Sequence, residues 1–129
     1  MPSITSIGLG VPDQAYTQGE IFEGLKIRKI YQDLFMSSGI AQRRLCLAPS
    51  ELPKTSPQDV HDSYRKWALE LSLRAVKDCL SKANLTPQDI DALTYVSCTG
   101  AFESPAMGWE IASDLDMRED VVHTPISGA

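Results

Sequence analysis

Histidine occurs only twice and cysteine three times in 129 residues, and that scarcity removes whole classes of chemistry at the outset. Cys46, Cys79 and Cys98 are odd in number, lie far apart and show no C-x-x-C spacing, which argues against a disulfide framework and against a zinc site. They read as reduced thiols. No Ser-His-Asp order, paired-carboxylate pattern or metal-ligand cluster can be assembled, so the residues present carry no complete catalytic apparatus. No apolar run approaches the length of a membrane span. The opening MPSITSIGLG lacks a basic segment followed by an apolar one, so secretion is not indicated and a cytoplasmic location is expected. Basic excess is lacking too. A net charge of -5 argues against nucleic acid as a partner, because phosphate backbones select for Lys and Arg over a whole face.

What is present suits an ordinary globular chain: 43% hydrophobic and 22% charged residues can bury a core, and the length predicts a single domain over residues 1–129. Two local basic groups stand out inside the acidic total. Lys26, Arg28 and Lys29 are close together and Arg43 and Arg44 are adjacent; each group could hold a small phosphorylated ligand or be no more than solvated surface charge.

Residues 4–11, ITSIGLGV, alternate Ile7, Leu9 and Val11 with Gly8 and Gly10, which predicts a first strand approached closely on one face by another backbone. A dinucleotide-binding turn is excluded there, since Val11-Pro12-Asp13 supplies neither a third glycine nor a helix start. Thr17 with Glu20 predicts a capped short helix, and the spacing of Ile27, Ile30, Tyr31, Leu34 and Phe35 predicts a second one over 26–37, ended by Gly39. Residues 43–47 look extended, followed by a proline-rich loop. Ser56-Pro57-Gln58-Asp59 then opens the longest helix, with a stripe from Val60 through Tyr64, Trp67, Ala68, Leu71, Ala75, Val76 and Cys79 to Leu80, ending near Asn84 and packing on a sheet. Thr86-Pro87-Gln88-Asp89 repeats the start signal for one short turn. Residues 92–98 predict a strand covered on both faces, 105–115 a helix capped by Ser104, and 121–126 a last strand. This order implies an α/β fold with a largely parallel sheet and right-handed crossovers.

Cys98 falls where a strand meets a turn, a place that displays reactive groups in parallel sheets. No His or helix start adjoins it in sequence to activate the thiol, so a buried, inert cysteine is expected. His61 reads as a surface residue in the first turn of the long helix, and His123 as a core residue or one lining a cleft.

Three segments together resemble the amino-terminal part of the type III polyketide synthases, the chalcone and stilbene synthase family: SSGIAQRRL (37–45), LTPQDIDALTYVSCTG (85–100) and SPAMGWEIASDLDMREDVVHTPISGA (104–129). The resemblance implies the N-terminal half of a thiolase-like (αβαβα) fold, here a single truncated domain. It implies loading of an acyl-CoA starter onto a cysteine and decarboxylative condensation with malonyl-CoA, with coenzyme A thioesters as substrates, no cofactor, no metal and a homodimeric assembly. In the family the strand matching VVHTPISGA runs into a Gly-Cys turn, which puts the nucleophile just beyond Ala129; this chain then carries no catalytic residue and is inactive alone. Thr99 and Gly100 match the turn that lines the acyl pocket and approaches the dimer partner, with Ala101, Phe102 and Pro105 nearby and Phe102 narrowing the cavity. That turn is a residue shorter here and lacks the family's second threonine and serine. The family's phosphate-binding basic positions fall on Ile30, Asp33 and Ser37, none of them basic, so Lys26, Lys29 or Arg43 would have to substitute. A β-ketoacyl carrier-protein synthase III-like condensing enzyme is the neighbouring alternative, and a non-catalytic half-domain that binds a partner is the other.

Overall fold

The computed structural model describes residues 1–52, 56–98 and 106–127. Its elements run β1 (Ala15–Thr17), α1 (Gln18–Gly24), a 3-10 turn (Lys29–Tyr31), α2 (Gln32–Met36), β2 (Gln42–Arg44), α3 (Pro57–Ala83), a second 3-10 turn (Pro87–Asp89), β3 (Ala92–Ser97), α4 (Met107–Asp114) and β4 (Val122–Ser127). They fall into two units, Val11–Ser63 and Met1–Gly10 with Tyr64–Ala129.

In the unit Val11–Ser63, Thr17 starts α1 with a reciprocal cap: the Glu20 amide donates to Thr17 Oγ1 at 3.2 Å, and the Thr17 amide donates to the Glu20 carboxylate at 2.7 Å. α1 ends at Lys26, which adopts a left-handed φ of 52° while the Ile27 amide reaches back to the Phe22 carbonyl. That ending shortens the helix expected over 26–37. Arg28 is extended and only the 3-10 turn and α2 follow, with Ile30 and Leu34 left exposed, so the apolar spacing there has no core to serve. β2 is likewise shorter than the extended stretch expected over 43–47, and pairs antiparallel with β1. Gln18, buried at the first position of α1, ties the unit together. Its side-chain nitrogen donates to the Phe35 carbonyl and to Ser38 Oγ, both at 2.9 Å, and its oxygen accepts from Arg43 Nε at 3.1 Å.

In the other unit α3 packs on two sides. Ala68, Leu69, Leu73 and Val76 join the buried cluster of Met107, Ile111, Ala112, Leu115, Met117 and Val121, against which Leu93 and Tyr95 of β3 also pack. Leu71, Ala75 and Cys79 instead receive the first residues of the chain. Ser6 Oγ donates to the Cys79 carbonyl at 2.9 Å, a Cβ on Gly8 would overlap the Ala75 carbonyl oxygen and stand 2.5 Å from the Cys79 nitrogen, and one on Gly10 would overlap the Leu71 carbonyl oxygen. Two residues of extended chain advance roughly 6.6 Å and four residues of helix roughly 6 Å, so positions 6, 8 and 10 meet 79, 75 and 71 in step.

The close backbone approach expected at Gly8 and Gly10 is therefore present, but the approaching backbone is a helix and residues 4–11 form no strand. Side chains of α3 serve their polar groups instead: the Leu9 amide donates to Asp78 at 2.9 Å and Lys82 Nζ donates to the Ile7 carbonyl at 3.2 Å.

β3 and β4 pair in parallel, Leu93 beside His123 and Tyr95 beside Pro125. α4 lies on that face, where a Cβ on Gly108 would stand 3.6 Å from Tyr95 and His123 and 3.9 Å from Leu93. β3 alternates between exposed and part-buried residues, so the expected cover on both faces is absent among the described residues. α4 begins after Ala106, which caps it without a side-chain hydrogen bond; the start expected at Ser104 and Pro105 lies outside the described residues. Asn84 and Asp116 take left-handed φ values of 56° and 51° and end α3 and α4.

Ser56 with Asp59 and Thr86 with Asp89 repeat the reciprocal cap of Thr17 with Glu20. In each, hydrogen bonds from the capping residue hold the carboxyl below its ordinary pKa. A depressed folded-state pKa gives stability that is present above the unfolded value and lost as pH falls through the folded one. Acidification below about pH 4 is thus expected to fray the starts of α1, α3 and the second 3-10 turn, read as a loss of far-ultraviolet helical signal. The variant Thr17→Ala with Ser56→Ala and Thr86→Ala should show a smaller acid-dependent loss from a lower starting stability; an identical acid profile would contradict this role.

Candidate active site

The carboxyl ends of β3 and β4 are where a parallel sheet delivers its chemistry. At the end of β3, Tyr64 Oη from α3 lies 2.9 Å from Ser97 Oγ. Burial, followed by the hydrogen bond and proximity of Tyr64, pushes the Tyr95 phenol above its ordinary pKa, with Ser97 acting in the opposite direction. Tyr64, Tyr95 and Ser97 form a hydroxyl cluster directly before Cys98. The cysteine itself is exposed, a correction of the buried position expected for it, because the open side of the sheet leaves the strand end uncovered. Thr99, Gly100, Ala101, Phe102 and Pro105, named as pocket-lining residues, lie outside the described residues.

Within β4, His123 stacks on Trp109 of α4 with ring centroids 3.7 Å apart. Both of its ring nitrogens are buried without a hydrogen-bond partner among the described residues. The pair walls a shallow surface depression, with no room for an enclosed water molecule, that Leu93, Tyr95 and Thr124 also line. His123 thus combines the core and cleft readings. The stack was hidden in sequence, where Trp109 and His123 are 14 positions apart on elements of different period. No group of three His, Cys, Asp or Glu residues able to hold a metal occurs among the described residues, and no helix there is long and apolar enough to cross a membrane.

The three basic candidates belong to the unit Val11–Ser63. Lys26 and Lys29 are exposed. Arg43 is part-buried, with Nε on Gln18 at 3.1 Å and its guanidinium 5.9 Å from the Phe35 ring centroid, so its first role is to hold β2 against α1 and α2. Lys26 also has a backbone task, since its left-handed conformation closes α1.

No protein-family model matches the chain. It is similar to the 3,5-dihydroxyphenylacetyl-CoA synthase of Amycolatopsis balhimycina, 31% identical over 128 residues that span 90% of this chain and 34% of that protein. Among solved structures it is similar to a type III pentaketide synthase from Neurospora crassa, with a TM-score of 0.83 at 19% identity over 98% of this chain and 36% of that one. It also resembles 3-oxoacyl-(acyl carrier protein) synthase III of Xanthomonas oryzae pv. oryzae, with a TM-score of 0.68 at 20% identity over 97% of this chain and 34% of that one. These likenesses place the fold as a piece of the thiolase-like α/β architecture. The chain spans about a third of the length of the curated relatives it matches. It is homologous to the type III polyketide synthases, as the segments at 37–45, 85–100 and 104–129 imply, and corresponds to an N-terminal piece of them.

Proposed function

We propose that this chain supplies the amino-terminal part of an acyltransferase of polyketide biosynthesis, in which an acyl-CoA starter is loaded and condensed decarboxylatively with malonyl-CoA. The observation that carries this reading is the similarity to the 3,5-dihydroxyphenylacetyl-CoA synthases along nine-tenths of the chain. In this reading β3, capped by the Tyr64–Ser97 contact, leads into a turn in which Thr99, Gly100, Ala101, Phe102 and Pro105 line the acyl pocket. Lys26 and Lys29 meet the phosphates of coenzyme A, Arg43 contributing less because Gln18 and Phe35 already engage it. The nucleophilic cysteine belongs to the chain beyond Ala129, and the active form is a cytoplasmic homodimer that needs no cofactor.

The test compares two proteins. The purified 129-residue chain, given acyl-CoA and malonyl-CoA, is expected to release no carbon dioxide and form no condensation product. A longer protein that carries this segment and a thiolase-like remainder should do both. Product from the short chain, or none from the long one, would overturn the reading. Replacing malonyl-CoA by malonyl-carrier protein separates the synthase III-like alternative, of which the Xanthomonas oryzae pv. oryzae protein is a weaker structural match than the Neurospora crassa synthase.

A further inference from the structure

Among the described residues, the carboxyl end of β3 is held from one side. Val96, at 63%, and Cys98 are exposed, whereas Tyr95 and Ser97 are part-buried and the backbone stays paired to β4 as far as Ser97 beside Ser127. The α4 contacts lie lower on the strand, at Leu93 and Tyr95. Above them the inward side chain is a short serine, and Tyr64, 33 positions earlier on α3, meets it with Oη 2.9 Å from Ser97 Oγ. Arg65, the next residue, binds Glu110 of α4 at 2.8 Å, so the helix that carries the phenol is tied to the helix that packs on the strand. A phenylalanine at 64 would serve the apolar stripe of α3 equally well, and the hydroxyl adds a contact to the strand end. That hydroxyl is part-buried, and a hydroxyl taken from water is costly unless partnered. Tyr64, Tyr95 and Ser97 partner one another, each able to donate one proton and to accept another. Tyr95 registers its neighbours in opposite senses: after burial, Tyr64 raises its pKa, while Ser97 lowers it.

We infer that Tyr64 is a positioning residue for the condensation reaction: through Ser97 it fixes the direction in which β3 ends at Cys98, and so the exit of the strand toward the acyl pocket. The inference rests on the function proposed above. Magnitudes separate this role from a merely structural one. Loss of one neutral hydrogen bond changes a folding equilibrium by about fivefold, whereas displacing a positioned group by about 1 Å can cost about a hundredfold in rate. Removing the Tyr64 hydroxyl should therefore be mild for the fold and severe for turnover.

The purified 129-residue chain is tested first. In Tyr64→Phe, amide hydrogen exchange from Val96 to Cys98 is expected to quicken about fivefold while Leu93 exchanges as before. Ring-labelled tyrosine NMR should show Tyr95 ionising at lower pH in Tyr64→Phe and at higher pH in Ser97→Ala. Unchanged exchange at the strand end, or a Tyr95 that moves in neither variant, overturns the inference. The longer protein that carries this segment and a thiolase-like remainder reads the consequence. There Tyr64→Phe is expected to lower kcat for condensation about tenfold or more, with KM for the acyl-CoA within about twofold. Ser97→Ala should do the same, the double variant should lose no more than either, and Ser97→Thr, which restores a hydroxyl, should recover the wild-type rate. Unaltered kcat in Tyr64→Phe, or losses that multiply in the double variant, refutes the positioning role. A longer protein that is inactive with Tyr64 in place defeats the proposed function instead, and the exchange and ionisation results on the short chain then decide whether Tyr64 holds the strand end.

Discussion

Gly10→Ala is expected to lower the stability of the protein by about 1–3 kcal/mol, the usual cost of forcing atoms into filled space. The added methyl would overlap the Leu71 carbonyl oxygen and stand 2.9 Å from its carbon and 3.0 Å from the Ala75 nitrogen. All are backbone atoms held in the hydrogen-bond ladder of α3, so the helix cannot yield and the segment before Val11 must lift instead. Lifting removes the Ser6 bond to the Cys79 carbonyl, the Leu9 bond to Asp78 and the Lys82 bond to the Ile7 carbonyl. The loss is therefore bounded by what docking of this segment contributes. Urea denaturation gives the size of the change, and the alkylation rate of Cys79, whose Sγ lies 3.0 Å from Ser6 Oγ, reports where it acts. Ser6→Ala is the control: it deletes one hydrogen bond, worth about 1 kcal/mol, without a clash. Wild-type stability and wild-type Cys79 reactivity in Gly10→Ala would show that the segment does not lie on α3.

A larger loss is expected for Ile111→Ala, about 2–5 kcal/mol. Ile111 is 2% exposed, the most deeply enclosed large side chain of the described residues, and it lies in the cluster with Met107, Ala112, Leu115, Met117 and Val121 where α4, α3 and β3 converge. Three elements fixed by backbone hydrogen bonds cannot collapse onto the vacated volume, which puts the cost toward the upper end of that range. Small domains are stable by about 5–15 kcal/mol, so the variant should sit close to unfolding at ordinary temperature. Ile111→Val, which removes one methylene, should cost about 0.5–1.5 kcal/mol. Denaturant titration followed by Trp109 fluorescence measures both. A loss below about 1 kcal/mol for the alanine variant would mean that α4 is not anchored there.

The parts of the fold legible in sequence are those decided within one turn of chain. Thr17 with Glu20, Ser56 with Asp59 and Thr86 with Asp89 satisfy free amides at helix starts, and a three-residue spacing suffices to recognise each. Asn84 at the end of α3 is of the same kind. What could not be read is which partner each apolar residue meets. In sequence the stripe on α3 reads as a single face, yet Leu71, Ala75 and Cys79 serve the first segment while Ala68 and Val76 serve α4, and Leu69 and Leu73, which fall outside the stripe, join them. Residues 4–11 alternate as a strand does, but alternation records only that two sides differ and not that a ladder partner is at hand. Gln18 gives no signal, because a lone glutamine at a helix start looks like solvated surface until Phe35, Ser38 and Arg43 close around it. For the site, Cys98 is exposed where a buried thiol is expected, for the same reason that β3 alternates: no second layer covers either among the described residues. The assignments of Thr99, Gly100, Ala101, Phe102 and Pro105 rest on resemblance alone.

The hydrogen bond from Ser6 to Cys79 spans 73 positions, and this distance along the chain orders events during synthesis. Contacts among α3, β3, α4 and β4 close shorter loops and can form as those stretches appear, whereas Ser6, Gly8 and Gly10 must wait for a finished helical groove. Residues made before α3 are thus among the last to settle, and until then Ile4, Ile7 and Leu9 trail as an adhesive thread that a nascent-chain chaperone would be well placed to hold.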